Sequence, residues 1–144
     1  MHAVLLAGGR GRRLAPYTHV IPKPLMPVGD RAILEILLRQ LRAAGVESAT
    51  LAVGHQAGLI EAYFGDGSRL GLRLSYSRET EPLGTAGPIA GIEGLPETFF
   101  VMNGDLLCDI DFRALWAEHR RSGACLTIGA TRRPHRIALG VLHI

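Results

Sequence analysis

The sequence predicts an α/β fold, and two features of its 144 residues support this class. Short apolar segments alternate with segments in which apolar residues recur at helical spacing, as strand–helix–strand units do. An apolar strand at 3–7 leads directly into a glycine-rich loop, and another at 98–102 leads into Asn103-Gly104-Asp105. Such alternation favours a mostly parallel central sheet with helices on both faces, which is a Rossmann-like three-layer αβα sandwich.

The remaining elements follow in order along the chain. Helices are predicted at 32–44, 57–64, 85–93 and 112–121. Further strands are predicted at 47–53, 72–77, 124–130 and 138–144. Gly45 ends the first helix, Pro88 weakens the third and Asp111 caps the fourth. Four prolines within 16–27 predict an extended, irregular segment before the first helix.

The composition is that of a globular chain with a genuine core. Hydrophobic residues make up 47% and charged residues 20%, which excludes a disordered protein and suits one domain over 1–144. No apolar run reaches the roughly 20 residues of a membrane span, so we predict no membrane partner. The apolar start runs straight into a charged loop, so we interpret it as a strand rather than a signal peptide. Because 141–144 has the pattern of a strand interior, we expect a domain truncated at its C-terminus.

The cysteine content indicates the cellular compartment, and the charge distribution indicates the kind of binding partner. Cys108 and Cys125 are best interpreted as reduced thiols of a cytoplasmic protein. The net charge is only +3, but basic residues cluster within 10–23 and 132–136, which suits a polyanionic small molecule as well as nucleic acid. Aromatic residues are not interleaved with these clusters as in single-strand binding proteins, so we predict no nucleic-acid partner. The sequence leaves the oligomeric state unknown.

The loop after the first strand carries the strongest chemical signal. Three glycines within 8–11 let backbone N–H groups approach an anion. No Gly-Lys pair is present, as a P-loop requires, and the third glycine of a dinucleotide fingerprint is missing. Arg13 adds a guanidinium suited to phosphate, Lys23 stands between two prolines, and Asp105 supplies an anion at another strand end. This combination predicts a site for a triphosphate and a metal ion.

A series of motifs runs along the chain in a fixed order. It begins with Leu6-Ala7-Gly8-Gly9-Arg10-Gly11-Arg12-Arg13-Leu14, includes Pro16 and Thr18, and reaches Pro22-Lys23-Pro24-Leu25. It continues with Tyr63-Phe64-Gly65-Asp66-Gly67, Glu81-Pro82-Leu83-Gly84-Thr85-Ala86-Gly87 and Asn103-Gly104-Asp105. The series resembles the signature of the sugar-nucleotide nucleotidyltransferases, also called nucleoside-diphosphate-sugar pyrophosphorylases. The resemblance covers essentially the whole chain and is specific for the superfamily, but it does not identify the sugar.

The resemblance implies a role for each matching residue. Arg13 and Lys23 would be the catalytic residues, binding the phosphates and stabilising the charge that develops in the transition state. Glu79 and Gly84 would line the nucleobase pocket, and Asp105 would hold Mg²⁺. The nucleotide-binding residues that the motifs imply are Leu6, Ala7, Gly8, Gly9, Arg10, Gly11, Arg12, Arg13, Lys23, Glu79, Gly84 and Thr85.

The chain departs from the family pattern at one position and lacks one expected group. The family usually has Thr or Ser where this chain has Arg12, so that guanidinium either adds charge to the phosphate site or points to solvent. The family usually supplies a second metal-binding Asp from far downstream, and Asp109 and Asp111 follow Asp105 too closely to replace it. Much of the family's sugar site also lies downstream, so we expect recognition of the sugar by these residues to be incomplete.

The implied reaction is attack of a sugar 1-phosphate oxygen on the α-phosphorus of a nucleoside triphosphate, with pyrophosphate leaving. Such a step depends on alignment and charge neutralisation rather than on covalent help from the protein. The leading substrate pairs are GTP with mannose 1-phosphate and dTTP with glucose 1-phosphate. Guanine presents two adjacent donors that the Glu79 carboxylate accepts together, which favours guanine slightly; a solvated surface role for Glu79 is the alternative.

Two other functional classes are compared with this hypothesis. A non-catalytic nucleotide-binding or regulatory homologue would keep the pocket without turnover, and Arg12 and the missing second carboxylate motivate it. A nicotinamide-dependent dehydrogenase is disfavoured, because its glycine spacing and ribose-binding acid are absent. Among the histidines, His55 is the one to examine near a substrate, since it follows a strand and Gly54.

Overall fold

The computed structural model of the protein describes residues 1–79, 84 and 86–132. The strands are β1 (His2–Ala7), β2 (Pro27–Val28), β3 (Arg31–Ala32), β4 (Ser48–Val53), β5 (Arg73–Arg78) and β6 (Phe100–Asn103). The α-helices are α1 (Ile33–Ala43), α2 (Ala57–Phe64), α3 (Gly87–Ala90) and α4 (Phe112–Ser122). The chain divides into two compact units, Met1–Asp109 and a second that begins at Ile110.

Four strands of the first unit form a parallel sheet in the order β5-β4-β1-β6. β1 pairs Ala7 with Val53 on one side and Leu6 with Asn103 on the other. The chain passes from β1 outward through β4 to β5 and then returns to β6 on the opposite side of β1. The strand order therefore reverses direction between β1 and β6, which makes the carboxyl ends of these two strands the switch point of the sheet. The predicted α/β fold with a parallel central sheet is confirmed.

The core of this unit lies between the central strands and the first two helices. β1 and β4 are almost wholly buried, which explains why they are continuous apolar runs rather than alternating ones. In α1 the fully buried residues recur at helical spacing: Leu34, Leu37, Leu38 and Leu41. The Tyr63 hydroxyl of α2 donates to Glu35 Oε2 of α1 at 2.9 Å, so the two helices are neighbours.

The proline-rich segment between β1 and α1 was predicted to be extended and irregular; it is irregular, but it is not extended throughout. It contains three short 3₁₀ turns, at Arg12–Leu14, Tyr17–His19 and Lys23–Leu25. The antiparallel pair β2–β3 follows, with Gly29 in the left-handed region at φ 66° between the two strands. Thr18 in the second of these turns and Pro24 in the third are buried, so part of this connection packs against the rest of the unit.

Most predicted helices and strands of the first unit lie within two residues of the observed bounds, and one helix differs. The helix predicted at 85–93 is a single turn, Gly87–Ala90, because Pro88 and the glycines on either side, Gly87 and Gly91, disfavour a longer one. No helix in the part of the chain that the structure describes is long and apolar enough to cross a membrane.

The second unit begins with α4, and its predicted cap is confirmed. Asp111 Oδ1 accepts a hydrogen bond from the Ala114 backbone N–H at 3.0 Å. The prediction of a strand at 124–130 is wrong, since these residues form no ladder and their side chains are largely solvent-exposed. Leu126 is 69% and Ile128 is 75% exposed, so these apolar side chains are not buried as the predicted strand requires. The strand predicted at 138–144 lies outside the described residues.

Candidate functional site

All four strands of the sheet end at one cavity of about 970 Å³. Its walls comprise the glycine loop after β1, Gly54 and His55 after β4, Glu79 after β5, and Asn103 and Asp105 at the end of β6. Since parallel strands end at the same edge, these residues come together although they are far apart in sequence. The cavity includes the switch point between β1 and β6, the position where open α/β sheets bind ligands.

Every residue of the predicted site that the structure describes lines this cavity. They are Leu6, Ala7, Gly8, Gly9, Arg10, Gly11, Arg12, Arg13, Lys23, Glu79, Gly84 and Asp105. Thr85 lies outside the described residues. The fold therefore brings these residues together, and the role given to each one stays a prediction.

Close backbone contact explains one of the glycines at the sheet edge, Gly54. A Cβ on Gly54 would lie 3.0 Å from the Gly8 carbonyl oxygen, tighter than ordinary side chains allow. The backbone N–H of His55 donates to the same oxygen at 3.3 Å. Gly9, in contrast, has no heavy atom within 4 Å of a Cβ position, so its surroundings are open. The loop is thus fixed at Gly8 and leaves room for a ligand beside Gly9.

Gly11 is the turning point of the loop. Its φ of 60° is a left-handed conformation, which glycine adopts without strain. A Cβ here would also lie 2.8 Å from Thr18 Cγ2. The buried Thr18 hydroxyl donates to the Gly11 carbonyl oxygen at 3.1 Å, so the glycine loop is fastened to the next 3₁₀ turn.

Lys23 and Asp105 form an ion pair within the cavity, through Nζ and Oδ2. Their side chains are 34% and 26% exposed, so water and a ligand can reach both. Asp105 is held beside β1, because the preceding residue, Gly104, donates its backbone N–H to the Leu6 carbonyl oxygen at 2.9 Å. Gly104 is buried, and a Cβ there would lie 3.2 Å from Ala7 Cβ.

The cavity is electropositive. Four cationic side chains line it, from Arg10, Arg12, Arg13 and Lys23, against two carboxylates, so its formal charge is +2 with histidine neutral. Arg10, Arg12 and Arg13 are exposed and lie on the loop and on the 3₁₀ turn that follows it. Exposed guanidinium groups beside an open glycine backbone are well suited to a phosphate-rich anion.

Glu79 reaches across the sheet edge from β5 towards β1. Its backbone N–H donates to the Val53 carbonyl oxygen at 2.9 Å, which extends the β4–β5 ladder by one residue. Its half-buried carboxylate lies against Gly8: a Cβ on that glycine would collide with Oε1 and would lie 3.2 Å from Cδ. The absence of a side chain at Gly8 therefore makes the space that Glu79 occupies.

Asp105 is the one cavity-lining carboxylate that the sequence predicts as a metal ligand. Among the described residues, no group of three or more His, Cys, Asp or Glu side chains is arranged to hold a metal ion. Asp105 alone suits a cation that keeps several waters and takes other oxygens from bound phosphates, as Mg²⁺ does. The donor chemistry thus fits Mg²⁺ only in company with a phosphorylated ligand.

Six cavity-lining residues are absent from the predicted site residues: Leu14, Pro24, Gly54, His55, Pro88 and Asn103. Of these, the sequence singled out His55 as a histidine to examine near a substrate. Leu14, Pro24 and Asn103 belong to the recognised motifs, so the motifs themselves contained the signal for them. Gly54 could be found as a glycine at a predicted strand end, the same signal that identified Gly8. Pro88 carries no such signal, because nothing in the sequence places α3 against this edge.

The fold and the cavity define an α/β domain with an electropositive cavity at the carboxyl edge of its sheet. The family model of nucleotidyl transferases matches residues 2–144, so the chain belongs to that family.

Two curated relatives and one solved structure illustrate this similarity. The chain is 42% identical over 132 residues to a mannose-1-phosphate guanylyltransferase of Mycobacterium tuberculosis, covering 90% of this chain and 37% of the relative. It is 38% identical over 141 residues to a UTP–glucose-1-phosphate uridylyltransferase of a Synechocystis species, covering 89% of this chain and 36% of the relative. The structure of HddC from Yersinia pseudotuberculosis, complexed with GMP-PN, superposes with a TM-score of 0.70 at 30% identity, covering 82% of this chain and 53% of that one. The chain thus spans little more than a third of the length of these curated relatives.

Proposed function

We propose that the protein transfers a nucleoside monophosphate from a nucleoside triphosphate to a sugar 1-phosphate and releases pyrophosphate. The observation that carries the proposal is the electropositive cavity, where Arg13 and Lys23 meet the glycine loop and the Asp105 carboxylate. A polyphosphate matches this combination of fixed positive charge and open glycine backbone. Membership of the nucleotidyl transferase family supports the same reaction.

The chemistry requires alignment and charge neutralisation. An oxygen of the sugar phosphate forms a new bond to the α-phosphorus, and the bond from that phosphorus to the bridging oxygen breaks, so that pyrophosphate leaves. Arg13 and Lys23 bind the phosphates and offset the negative charge that accumulates on them in the transition state. No protein nucleophile takes part, so Cys108 has no catalytic role in this proposal. Arg12 lines the cavity as well, which supports an added charge rather than a solvent-directed role.

Mg²⁺ is the proposed cofactor, and Asp105 is the residue that would hold it. When bound, the ion would neutralise phosphate charge and orient the phosphates. Lys23 Nζ contacts the same carboxylate, so the ammonium group and a cation would compete for it. The remaining ligands would come from water and from the substrate phosphates.

Guanine is the proposed base. The Glu79 carboxylate is held at the sheet edge with two acceptor oxygens, and guanine presents two adjacent donors, N1–H and the N2 amine. Uracil and thymine present one donor between two acceptors and match a carboxylate less well. The guanylyltransferase relative from M. tuberculosis supports this choice. By the same similarity we propose mannose 1-phosphate as the acceptor.

The cytoplasm is the proposed location. Cys108 and Cys125 are both free thiols, and Cys125 is exposed, which suits a reducing compartment.

Nucleotide binding is tested first, with the 144-residue chain. Calorimetry in the presence of Mg²⁺ should show GTP binding at least about tenfold tighter than UTP, since two donors find acceptors with GTP and one with UTP. Glu79→Gln should weaken GTP binding and reduce the preference, because an amide offers only one acceptor oxygen. Equal affinities for GTP and UTP would contradict the proposed base.

Transfer is tested next, by pyrophosphate release from GTP and mannose 1-phosphate with the complete gene product. Lys23→Ala should lower the rate by roughly 10²- to 10³-fold, the usual cost of removing one charge-stabilising group. Arg73→Ala is the matched control: it also removes one exposed positive charge, but at the opposite, amino-terminal end of β5. An unchanged rate in Lys23→Ala would show that the site is wrong, and nucleotide binding without any product would identify a non-catalytic nucleotide-binding homologue instead.

A further inference from the structure

We propose that Gln56 is a positioning residue for the nucleotide loop, because its side-chain amide holds the segment that joins the glycine loop to Lys23. This inference rests on the proposed function for its consequences in binding. Gln56 follows Gly54 and His55, both of which line the cavity, and it immediately precedes α2.

The backbone of Gln56 adopts an unusual conformation. Its φ of 56° and ψ of 32° are left-handed, and across residues 1–79, 84 and 86–132 it is the one residue other than glycine with a positive φ. A Cβ makes this conformation unfavourable, so it persists where the surrounding structure requires it. Nothing in the capping of α2 requires a glutamine, since its side chain makes no capping hydrogen bond.

The contacts of the Gln56 side chain explain why a glutamine occupies this position. Its Nε2 donates to the His19 carbonyl oxygen at 3.0 Å, across 37 positions of sequence. Because a carbonyl can only accept, this contact fixes which way the amide faces. Its Oε1 is buried, and no residue in the described part of the chain donates to it. Gln56 therefore has an unfavourable backbone conformation and a side-chain oxygen without a donor. In return, its side chain contributes one long-range hydrogen bond.

That hydrogen bond holds a segment that contacts the glycine loop and then leads to Lys23. His19 is the last residue of the 3₁₀ turn Tyr17–His19, and the neighbouring Thr18 is the buried residue that bonds to the Gly11 carbonyl. Four residues after His19 the chain reaches Lys23, whose Cβ lies 3.3 Å from the Cβ position of Gly11. A single chain of contacts therefore runs from Gln56 through the turn to both Gly11 and Lys23.

The three residues after β4 consequently hold the loop at two points. The backbone N–H of His55 donates to the Gly8 carbonyl oxygen, at the start of the loop. The side chain of Gln56 holds the turn at His19, before Lys23. Ordering the loop before the ligand arrives reduces the entropy cost of binding, which is how a residue outside the cavity can affect affinity.

Two substitutions separate this role from a contribution to the fold. Gln56→Gly removes the amide and also relieves the left-handed backbone, so the melting temperature should not fall by more than about 2 °C. Gln56→Glu keeps the size and shape but has no donor at neutral pH. Both variants should loosen the loop, because both lose the bond to His19.

Limited trypsin digestion without nucleotide measures the loop directly. Cleavage after Arg12 and Arg13 should be about two- to tenfold faster in both variants than in the parent chain, the range expected for one lost neutral hydrogen bond. Gln40→Glu is the matched control. Gln40 also donates from Nε2 to a backbone carbonyl, that of Cys108, and also has a buried, unpartnered Oε1, so its variant should leave cleavage in the loop unchanged.

Nucleotide binding and turnover provide the second readout. The Kd for GTP should rise about two- to tenfold in Gln56→Gly, and in the complete gene product KM for GTP should rise with it. A purely structural role would instead reduce the active fraction, which lowers kcat and leaves KM unchanged. Parent-like cleavage and parent-like Kd in Gln56→Gly would overturn the inference. If the parent chain bound no nucleotide, that result would count against the proposed function alone. The digestion would still test whether Gln56 holds the loop.

Discussion

Gly8 and Glu79 show how one missing side chain determines the position of another at the sheet edge. The Glu79 carboxylate occupies the space that a Cβ on Gly8 would fill. The two residues lie at the ends of β1 and β5, with β4 between them. The proposed base contact therefore depends on a glycine that need not touch the base itself.

Gly8→Ala should consequently change the base preference more than the stability. The new methyl group displaces a carboxylate at the end of a flexible side chain, so the cost in folding free energy should stay near 1 kcal/mol. The ratio of GTP to UTP affinity, measured by calorimetry, should fall several-fold as Glu79 moves. Gly9→Ala is the comparison, since a Cβ there meets open space and leaves Glu79 in place, so that variant should keep the ratio. Loss of the ratio in both variants would show that loop backbone, not Glu79, selects the base.

At the level of single residues, the sequence predicted which residues come together at the cavity better than it predicted the contacts between them. The residues from Leu6 to Arg13, together with Lys23, Glu79 and Asp105, could be identified from motif order, and all of them line the cavity. The pairing of Lys23 with Asp105 could not, because an ion pair across 82 positions depends on how far each loop folds back over the sheet. The left-handed Gln56 was also beyond prediction, since glutamine has no preference for that conformation.

At the level of helices and strands, local signals were reliable where tertiary packing agreed with them. α1 was predicted within one residue at each end because its buried leucines and Gly45 give both periodicity and a stop. The strand predicted at 124–130 has no strand partner among the described residues, and apolar residues alone do not make a strand. The single turn of α3 reflects Pro88 and two glycines, which outweigh the apolar residues around them.

The cap of α4 offers a test at this level. Asp111→Ala removes the carboxylate that accepts from Ala114 N–H and should destabilise α4 by about 1 kcal/mol. Hydrogen exchange of the amides at 112–116 should quicken accordingly, while amides of the buried strand β4 keep their parent protection. Asp109→Ala is the matched control, since it removes an exposed carboxylate of the same charge that lies before the cap position. Equal acceleration in the two variants would mean that net charge, rather than the cap, stabilises the helix.

For the whole first unit, the two edges of the sheet have different chemistry. The carboxyl edge holds the glycine loop and the cavity. Towards the amino edge, polar side chains from three strands make contact: His2 of β1 bonds Ser48 and Thr50 of β4, at 2.9 and 3.2 Å, and Thr50 bonds Ser75 of β5 at 2.9 Å. Thr50 is buried, so these bonds satisfy a polar group inside the sheet. The α/β alternation predicted the edge at which the cavity lies, but it could not predict this row of polar contacts, which depends on strand register.

His2 makes the stability of the unit depend on pH. Burial lowers the pKa of His2 below 6.5, and the positive charge of the Met1 amino group lowers it further. The unfolded chain therefore takes up a proton near pH 6.5 that the folded chain resists, so acidification favours unfolding. The free energy of unfolding should be at its plateau above pH 6.5 and should decline as the pH falls below it, by no more than about 1.4 kcal/mol per pH unit for one proton.

Urea unfolding at pH 7.5 and pH 5.5 measures this dependence. Carboxylates with lowered pKa values, such as Glu35, which Arg39 and then Tyr63 stabilise in the charged form, lose their contribution only at lower pH, near and below 4.5. Because His2→Gln cannot titrate, its stability should change less between pH 7.5 and 5.5 than that of the parent chain. His55→Gln, which removes an exposed imidazole at the opposite edge, should keep the parent dependence. If the stability of His2→Gln declined as steeply as that of the parent chain, protonation of His2 would not be the cause of the pH dependence.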